Sequence, residues 1–126
     1  MLPRSHKLAS SADFRQTMRK GVRAGSRTLQ VHLYRPAPAA AQDTNSIVTS
    51  GGPHFGLVVS KQVGNAVTRH AVSRKLREVL RANVDKLEPE HQVVVRALPA
   101  AATATSAELE RDYLAAVEKA LAKERR

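Results

Sequence analysis

Cysteine is absent from this 126-residue chain, and its 11 acidic residues are outnumbered by 21 Lys and Arg. Without cysteine there is no disulfide and no thiolate-held metal. The scarcity of acids bears on protein-borne hydrolysis. A metal-dependent nuclease needs carboxylates converging on one or two Mg²⁺ ions, yet only Asp13 and Asp43 precede Glu78. Asp85, Glu88 and Glu90 surround a turn signal and the other five acids fall on the last helical stretch, so no pair sits at the end of a central strand. A metal-free ribonuclease would need two histidines and a cation around one phosphate. His6, His32, His54, His70 and His91 are scattered without such spacing. A phosphate-cradling P-loop and a nucleophile elbow are both missing. The expectation is a chain with no catalytic residue and no metal site of its own. No apolar run approaches the roughly 20 residues of a membrane span, and the charged N-terminus has no signal-peptide core behind it. Both features lead to an expected cytoplasmic location and no membrane partner.

What is present is positive charge. The formal net charge is +10, and an excess that large in a small domain directs it to a polyanion, through phosphate neutralisation and counterion release. The length fits one domain over residues 1–126, with a modest core beneath one sheet. Met1 to Ala9, with Arg4, His6 and Lys7, reads as a mobile basic arm anchored by Leu8. Residues 36–53, rich in Pro, Ala, Gly, Ser and Thr, read as a long flexible loop.

The chain is organised around Ser60 to Asn83. An apolar run, Phe55 to Val59, leads through Gly64-Asn65 into a basic amphipathic helix, with Asn65 placed to accept a free N–H of its first turn. At 100° per residue, Val72, Leu76, Val79 and Leu80 share the face that packs on a sheet. A neighbouring arc carries His70, Arg74, Arg77 and Arg81, and Arg69 and Lys75 flank the apolar stripe. Glu78 is the only acid between Asp43 and Asp85. Arg69 stands in the first turn, where the helix dipole disfavours a cation. Helix stability does not explain it, whereas an anionic partner would. For an isolated helix of this kind, a solvated basic face is the competing explanation.

The remaining elements are read in order. Ser11 caps a short helix that ends near Lys20, with Gly21 as its terminator and Phe14 and Met18 on one face. Ser26 to Arg35 alternates, Leu29, Val31 and Leu33 against Gln30, His32 and Tyr34, as a half-buried strand does. Its polar face is expected to be open to solvent and able to meet bases. His54 to Ser60 reads as a strand central in the sheet, because it is nearly all apolar. Asp85 to Glu90 reads as a turn. Gln92 to Leu98 is a buried strand with Arg96 as a polar interruption, and Pro99 to Thr103 is a connector. Thr105-Ser106-Ala107-Glu108 forms a capping box before a last helix running to about Lys123, packed by Leu109, Tyr113, Leu114, Val117 and Leu121. The order helix, strand, strand, helix, strand, helix is that of an α+β sandwich or an extended βαβ unit, with one sheet covered by helices on one face.

Ser60-Lys61-Gln62-Val63-Gly64-Asn65-Ala66-Val67-Thr68-Arg69, followed by Arg74-Lys75-Leu76-Arg77-Glu78, resembles the signature of the bacterial ribonuclease P protein component. That signature runs roughly Ser-Lys-Lys-hydrophobic-Gly-Asn-Ala-Val-x-Arg-Asn-Arg-x-x-Lys-Arg and leads into Arg-Glu. The chain departs from it at His70, Ala71 and Ser73. Those positions lose charge, which weakens the expected RNA contact at His70 and puts those at Ala71 and Ser73 in question. The resemblance implies an α+β fold, a single sheet packed with helices, like the second domain of ribosomal protein S5, with a left-handed βαβ crossover. It implies the protein subunit of an endoribonuclease whose catalytic RNA removes the 5′ leader of precursor tRNA. The Mg²⁺ ions are then held by that RNA and the substrate, and no obligate protein partner is expected. By the matched motif, Asn65, Arg69, His70, Arg74, Lys75, Arg77 and Arg81 are expected to meet the catalytic RNA. Phe14, Met18, His32, Ser60 and Lys61 are the candidates for a cleft that holds the leader. Two other readings use the same helix: a structural protein bound to ribosomal RNA, or a small DNA-binding module in a major groove. The second normally needs a dimer or an adjacent anchoring helix, for which the sequence has no signal.

Overall fold

Four strands form one mixed sheet in the order β1 (Val22–Gly25), β2 (Leu29–Tyr34), β4 (Gln92–Ala97), β3 (His54–Val58). The computed structural model describes residues 11–35, 53–88 and 91–124, the side chains of residues 11–14 lying outside that description. The arm at Met1 to Ala9 and residues 36–52 of the expected loop also lie outside the described residues. β1 and β2 form an antiparallel hairpin, and β2 pairs antiparallel with β4. β3 pairs parallel with β4, so β3, α2 (Ala66–Ala82) and β4 make a βαβ unit whose two strands are immediate neighbours.

Two features of the sheet correct the sequence reading. β3 is an edge strand, not a central one. Only Phe55 in it is fully buried, in the main core, and Leu57 packs against that core. Continuous apolarity reports burial of faces and carries no information about which neighbours the strand pairs with. β1 has no counterpart in that reading. It is four residues long with Arg23 exposed in its middle, too short and too polar to show a period of two. The residues from Ser26 to Thr28 belong to the turn between β1 and β2, and β3 stops at Val58, two residues short of the expected end.

Period two sets the core. Leu29, Val31 and Leu33 of β2 face the same side as Val93 and Val95 of β4 and Phe55 of β3. Val72, Leu76, Val79 and Leu80 of α2 cover this side, as do Leu109, Tyr113, Ala116 and Val117 of α3 (Ser106–Glu124). Fully burying each of the larger aliphatic side chains contributes about 1.5–3 kcal/mol. The expected capping box opens α3. Thr105 Oγ1 accepts from the Glu108 N–H at 3.1 Å, and the Glu108 carboxylate accepts from the Thr105 N–H at 2.8 Å. The latter bond, first among its causes, holds the Glu108 carboxyl below the usual range. Buried Asp112 then ties α3 to the β1–β2 turn. Its Oδ2 accepts from the Thr28 hydroxyl at 2.6 Å and its carbonyl from Ser26 at 3.0 Å.

Helices lie on both sides of the sheet rather than one. Thr17 of α1 (Ser11–Lys20) is fully buried and donates through its hydroxyl to Gln92 Oε1 at 3.0 Å. Gln92 alternates with Val93 and Val95, so it faces away from the main core. Val94, its neighbour on that face, is buried yet stands apart from the main core cluster.

Candidate nucleic-acid interface

The basic helix begins as its sequence dictates. Asn65 is extended, and its side-chain oxygen accepts from the Thr68 N–H at 2.9 Å, closing the first turn. Val63 is anchored in the core just before it, and its N–H meets the Ser60 carbonyl at 3.0 Å in a tight turn. This turn presents Ser60 half-buried and Lys61 exposed at the end of β3. Asn65→Ala is expected to cost about 1 kcal/mol of stability, read as a lower urea midpoint with an unchanged m-value.

Beyond the cap, the apolar stripe of α2 is buried, and the cationic arc is outside. His70, Arg74, Arg77 and Arg81 are exposed. Arg81 pairs with Glu78 one turn earlier, whereas Arg69, Arg74 and Arg77 make no ion pair with a described residue. Arg69 is half-buried, and its Nε is enclosed without a hydrogen-bond partner among the described residues. Lys75 lies on the other border of the stripe, and its ammonium donates to the Ala104 carbonyl at 3.1 Å. That bond ties α2 to the segment before α3, so Lys75 carries a structural duty alongside any contact with RNA. Val67, 79% exposed, is the one large apolar side chain among the described residues left open to solvent, and it sits in the first turn of this helix.

Of the second group of candidates, His32 lies on the face of the sheet against which α1 packs. Met18 is half-buried on α1, and the Phe14 side chain lies outside the described residues. His32 corrects the expectation of a solvent-facing strand surface, for it is only 5% exposed. Its Nε2 has no hydrogen-bond partner among the described residues. Burial first, then the Arg23 and Arg96 guanidiniums, hold the imidazole below its ordinary value of 6.5. Arg23 is paired directly with His32 across β1–β2. Arg96 pairs with Gln30 on one side and Val58 on the other. Arg96 therefore stands between His32 and the Ser60–Lys61 turn. The sequence marks Arg96 only as a polar interruption of its strand and does not single out Arg23. The signal for Arg96 was present in the alternation of Gln92, Val94 and Arg96, but the face it marks acquires meaning only from the strand order.

The His32 shift gives stability a pH dependence of definite sign. Above pH 6.5 the imidazole is neutral in both folded and unfolded chains. As pH falls below 6.5 the unfolded chain takes up the proton first, so stability falls until the lower folded value is passed. The slope from this one group is at most about 1.4 kcal/mol per pH unit. Urea midpoints measured from pH 7 down to 5 are expected to fall more steeply for the wild type than for His32→Leu.

Among the described residues no group of three or more His, Cys, Asp or Glu is arranged to hold a metal ion. No described helix is long and apolar enough to cross a membrane.

Comparison with known proteins agrees with this architecture. The family model described as Ribonuclease P matches residues 2–121. The chain is 56% identical over 119 residues to the ribonuclease P protein component of Corynebacterium diphtheriae, spanning 94% of this chain and 96% of that one. It is 49% identical over 115 residues to the same component of Rhodococcus opacus, spanning 91% and 88%. The solved structure of the Staphylococcus aureus RNase P protein superposes with a TM-score of 0.72 at 22% identity, spanning 91% and 94%. A structure of the RNase P protein from Thermotoga maritima gives 0.66 at 18% identity, spanning 86% and 91%. At those identities the likeness of the two structures is one of fold.

Proposed function

From the premise that the chain belongs to the bacterial ribonuclease P protein family, we propose that α2 grips the catalytic RNA while the sheet face beside α1 holds the precursor-tRNA leader. The chain is the protein subunit of ribonuclease P, and the reading as a structural ribosomal protein lapses with it. On this proposal Arg69, Arg74 and Arg77 neutralise phosphates of the catalytic RNA, with His70, Lys75 and Arg81 as lesser contacts and Asn65 fixing the helix start. Phe14, Met18, His32, Ser60 and Lys61 line the path of the 5′ leader. The Mg²⁺ ions that cleavage requires are held by RNA and substrate, and the protein works in the cytoplasm with no obligate protein partner.

The observation that carries this reading is the row of arginines on α2, Arg69, Arg74 and Arg77, without an ion-pair partner among the described residues, in a domain of charge +10. Two polyanions and divalent cations have to be assembled, and a cationic protein between them lowers their mutual repulsion. No side-chain chemistry on the substrate is required of the chain. The test is precursor-tRNA cleavage by cognate ribonuclease P RNA at low Mg²⁺, with and without the protein, on substrates with and without a leader of several nucleotides. Stimulation that depends on the leader is expected. Equal stimulation of both substrates would remove the leader cleft from the proposal and leave only the grip on the RNA.

A further inference from the structure

We propose that Lys119 and Lys123 lock the open edge of the sheet and keep two copies of the chain from joining through β1. The lock acts in the free protein and is independent of the surfaces assigned to RNA above.

β1 ends the sheet, with β2 on one side and no strand on the other. Such an edge presents unpaired N–H and C=O groups to any strand that approaches it. Which groups these are follows from the register. Bonded and non-bonded pairs alternate along an antiparallel ladder. The Ser26 N–H donates to the Leu29 carbonyl at 2.9 Å, which makes Ser26–Leu29 a bonded position. Ala24–Val31 and Val22–Leu33 are then bonded too, and Arg23 and Gly25 turn their N–H and C=O groups outward. The two lysines of α3 reach those same carbonyls. Lys123 donates to the Arg23 carbonyl, and Lys119 to that of Gly25 at 3.4 Å.

The match is one of spacing. Four residues of helix rise about 6 Å and two residues of strand about 6.8 Å. Ammoniums at i and i+4 therefore meet successive outward carbonyls. Both lysines, Arg23 and Gly25 are exposed, so these bonds lie at the surface and the core does not depend on them. The outward N–H groups of Arg23 and Gly25 have no acceptor among the described residues. The edge is half closed: its acceptors are taken and its donors remain open.

The occupant this edge fits is β1 of a second copy. About a two-fold axis at Ala24, Arg23 of one copy lies opposite Gly25 of the other, and four N–H···O bonds can form. Arg23 then faces a residue without a side chain, and the two arginines are not set directly opposite each other. β1 itself thus permits self-pairing, and the opposition comes from α3. Pairing has to break both lysine bonds in each copy and crowd four ammoniums along one seam. Lysine is a usual guard of sheet edges, and here the neighbouring helix supplies it.

The test is sedimentation velocity of the free, full-length protein over a wide concentration range, with amide hydrogen exchange on the same samples. The wild type is expected to stay monomeric. Lys119→Ala/Lys123→Ala should associate at least about tenfold more tightly, since strand addition no longer breaks two charge-assisted bonds per copy. In that dimer the Arg23 and Gly25 amides should become protected from exchange. Lys119→Arg/Lys123→Arg keeps both donors and should remain monomeric. Gly25→Pro, added to the alanine pair, removes one outward donor while leaving the bonds to β2 in place, and should restore the monomer. An alanine pair that stays monomeric at the highest concentration would overturn the lock. So would a dimer that survives Gly25→Pro, or one in which those two amides still exchange freely.

Discussion

Replacing Arg69, Arg74 and Arg77 together by alanine is expected to weaken binding to the catalytic RNA by about a thousandfold at low salt while leaving the fold intact. Each of the three lacks an intramolecular ion-pair partner among the described residues. Its loss therefore removes a charge-assisted contact with RNA, worth at least about 1.4 kcal/mol or tenfold, and disturbs little else. The signature distinguishing this from damage is the salt dependence. If each arginine neutralises one phosphate, the slope of log K against log salt becomes shallower by about 2–3. Affinity measured by filter binding from 50 to 300 mM salt, beside urea unfolding of the free protein, checks both halves. Two internal comparisons sharpen it. Arg81→Ala should have a smaller effect, because its guanidinium is shared with Glu78. Lys75→Ala should lower stability as well as affinity, because it also removes the bond to the Ala104 carbonyl. An unchanged slope in the triple variant would take α2 out of the interface.

Gly21→Ala is expected to destabilise the protein by roughly 3 kcal/mol, the upper end for inserting one carbon into a filled site, and to abolish leader-dependent stimulation. A Cβ at Gly21 would lie 2.5 Å from the Leu33 carbonyl oxygen and 2.6 Å from that of Thr17. Both are backbone atoms, so neither can swing aside. The Gly21 N–H bonds to the Thr17 carbonyl at 3.1 Å, which closes the end of α1 directly against β2. Relief of the clash has to come from moving α1 relative to the sheet, and that carries Met18 and Thr17 away from the face where His32 lies. Gly25→Ala is the control. Its added carbon would stand 3.6 Å from the nearest atom, the Leu29 carbonyl oxygen, and should change the urea midpoint hardly at all. Equal midpoints for Gly21→Ala and the wild type would show that α1 is free to shift without cost, and would separate its position from the cleft.

Much of the molecule was legible from local pattern. The 3.6-residue stripe of Val72, Leu76, Val79 and Leu80, the Asn65 cap and the Thr105–Glu108 box each depend on residues within one or two turns of one another, and the structure realises all of them. The alternation of Leu29, Val31 and Leu33 likewise identified the core face of β2. The scarcity and scatter of acids argued against a protein-borne metal nuclease, and the excess of arginine on one helix directed the chain to a polyanion.

What stayed hidden depends on pairing between distant segments. The apolar run of β3 was consistent with a central place in the sheet, but β4, reached only after the whole of α2, occupies that place between β2 and β3. β1 is a strand because β2 lies beside it, not because four residues around Arg23 favour one. His32 was correctly set on the polar side of β2, yet a period of two distinguishes faces and says nothing of what covers them. α1, anchored by Thr17 to Gln92, packs on that face, and the buried imidazole, whose Nε2 has no hydrogen-bond partner among the described residues, meets Arg23 and Arg96 through the register of β1, β2 and β4. The sequence by itself determined the elements, their buried faces and the charge they carry, because those are set by neighbours along the chain. The tertiary structure alone decided the strand order, the cover over His32 and the meeting of two arginines with it, because strand pairing joins residues as far as 68 positions apart.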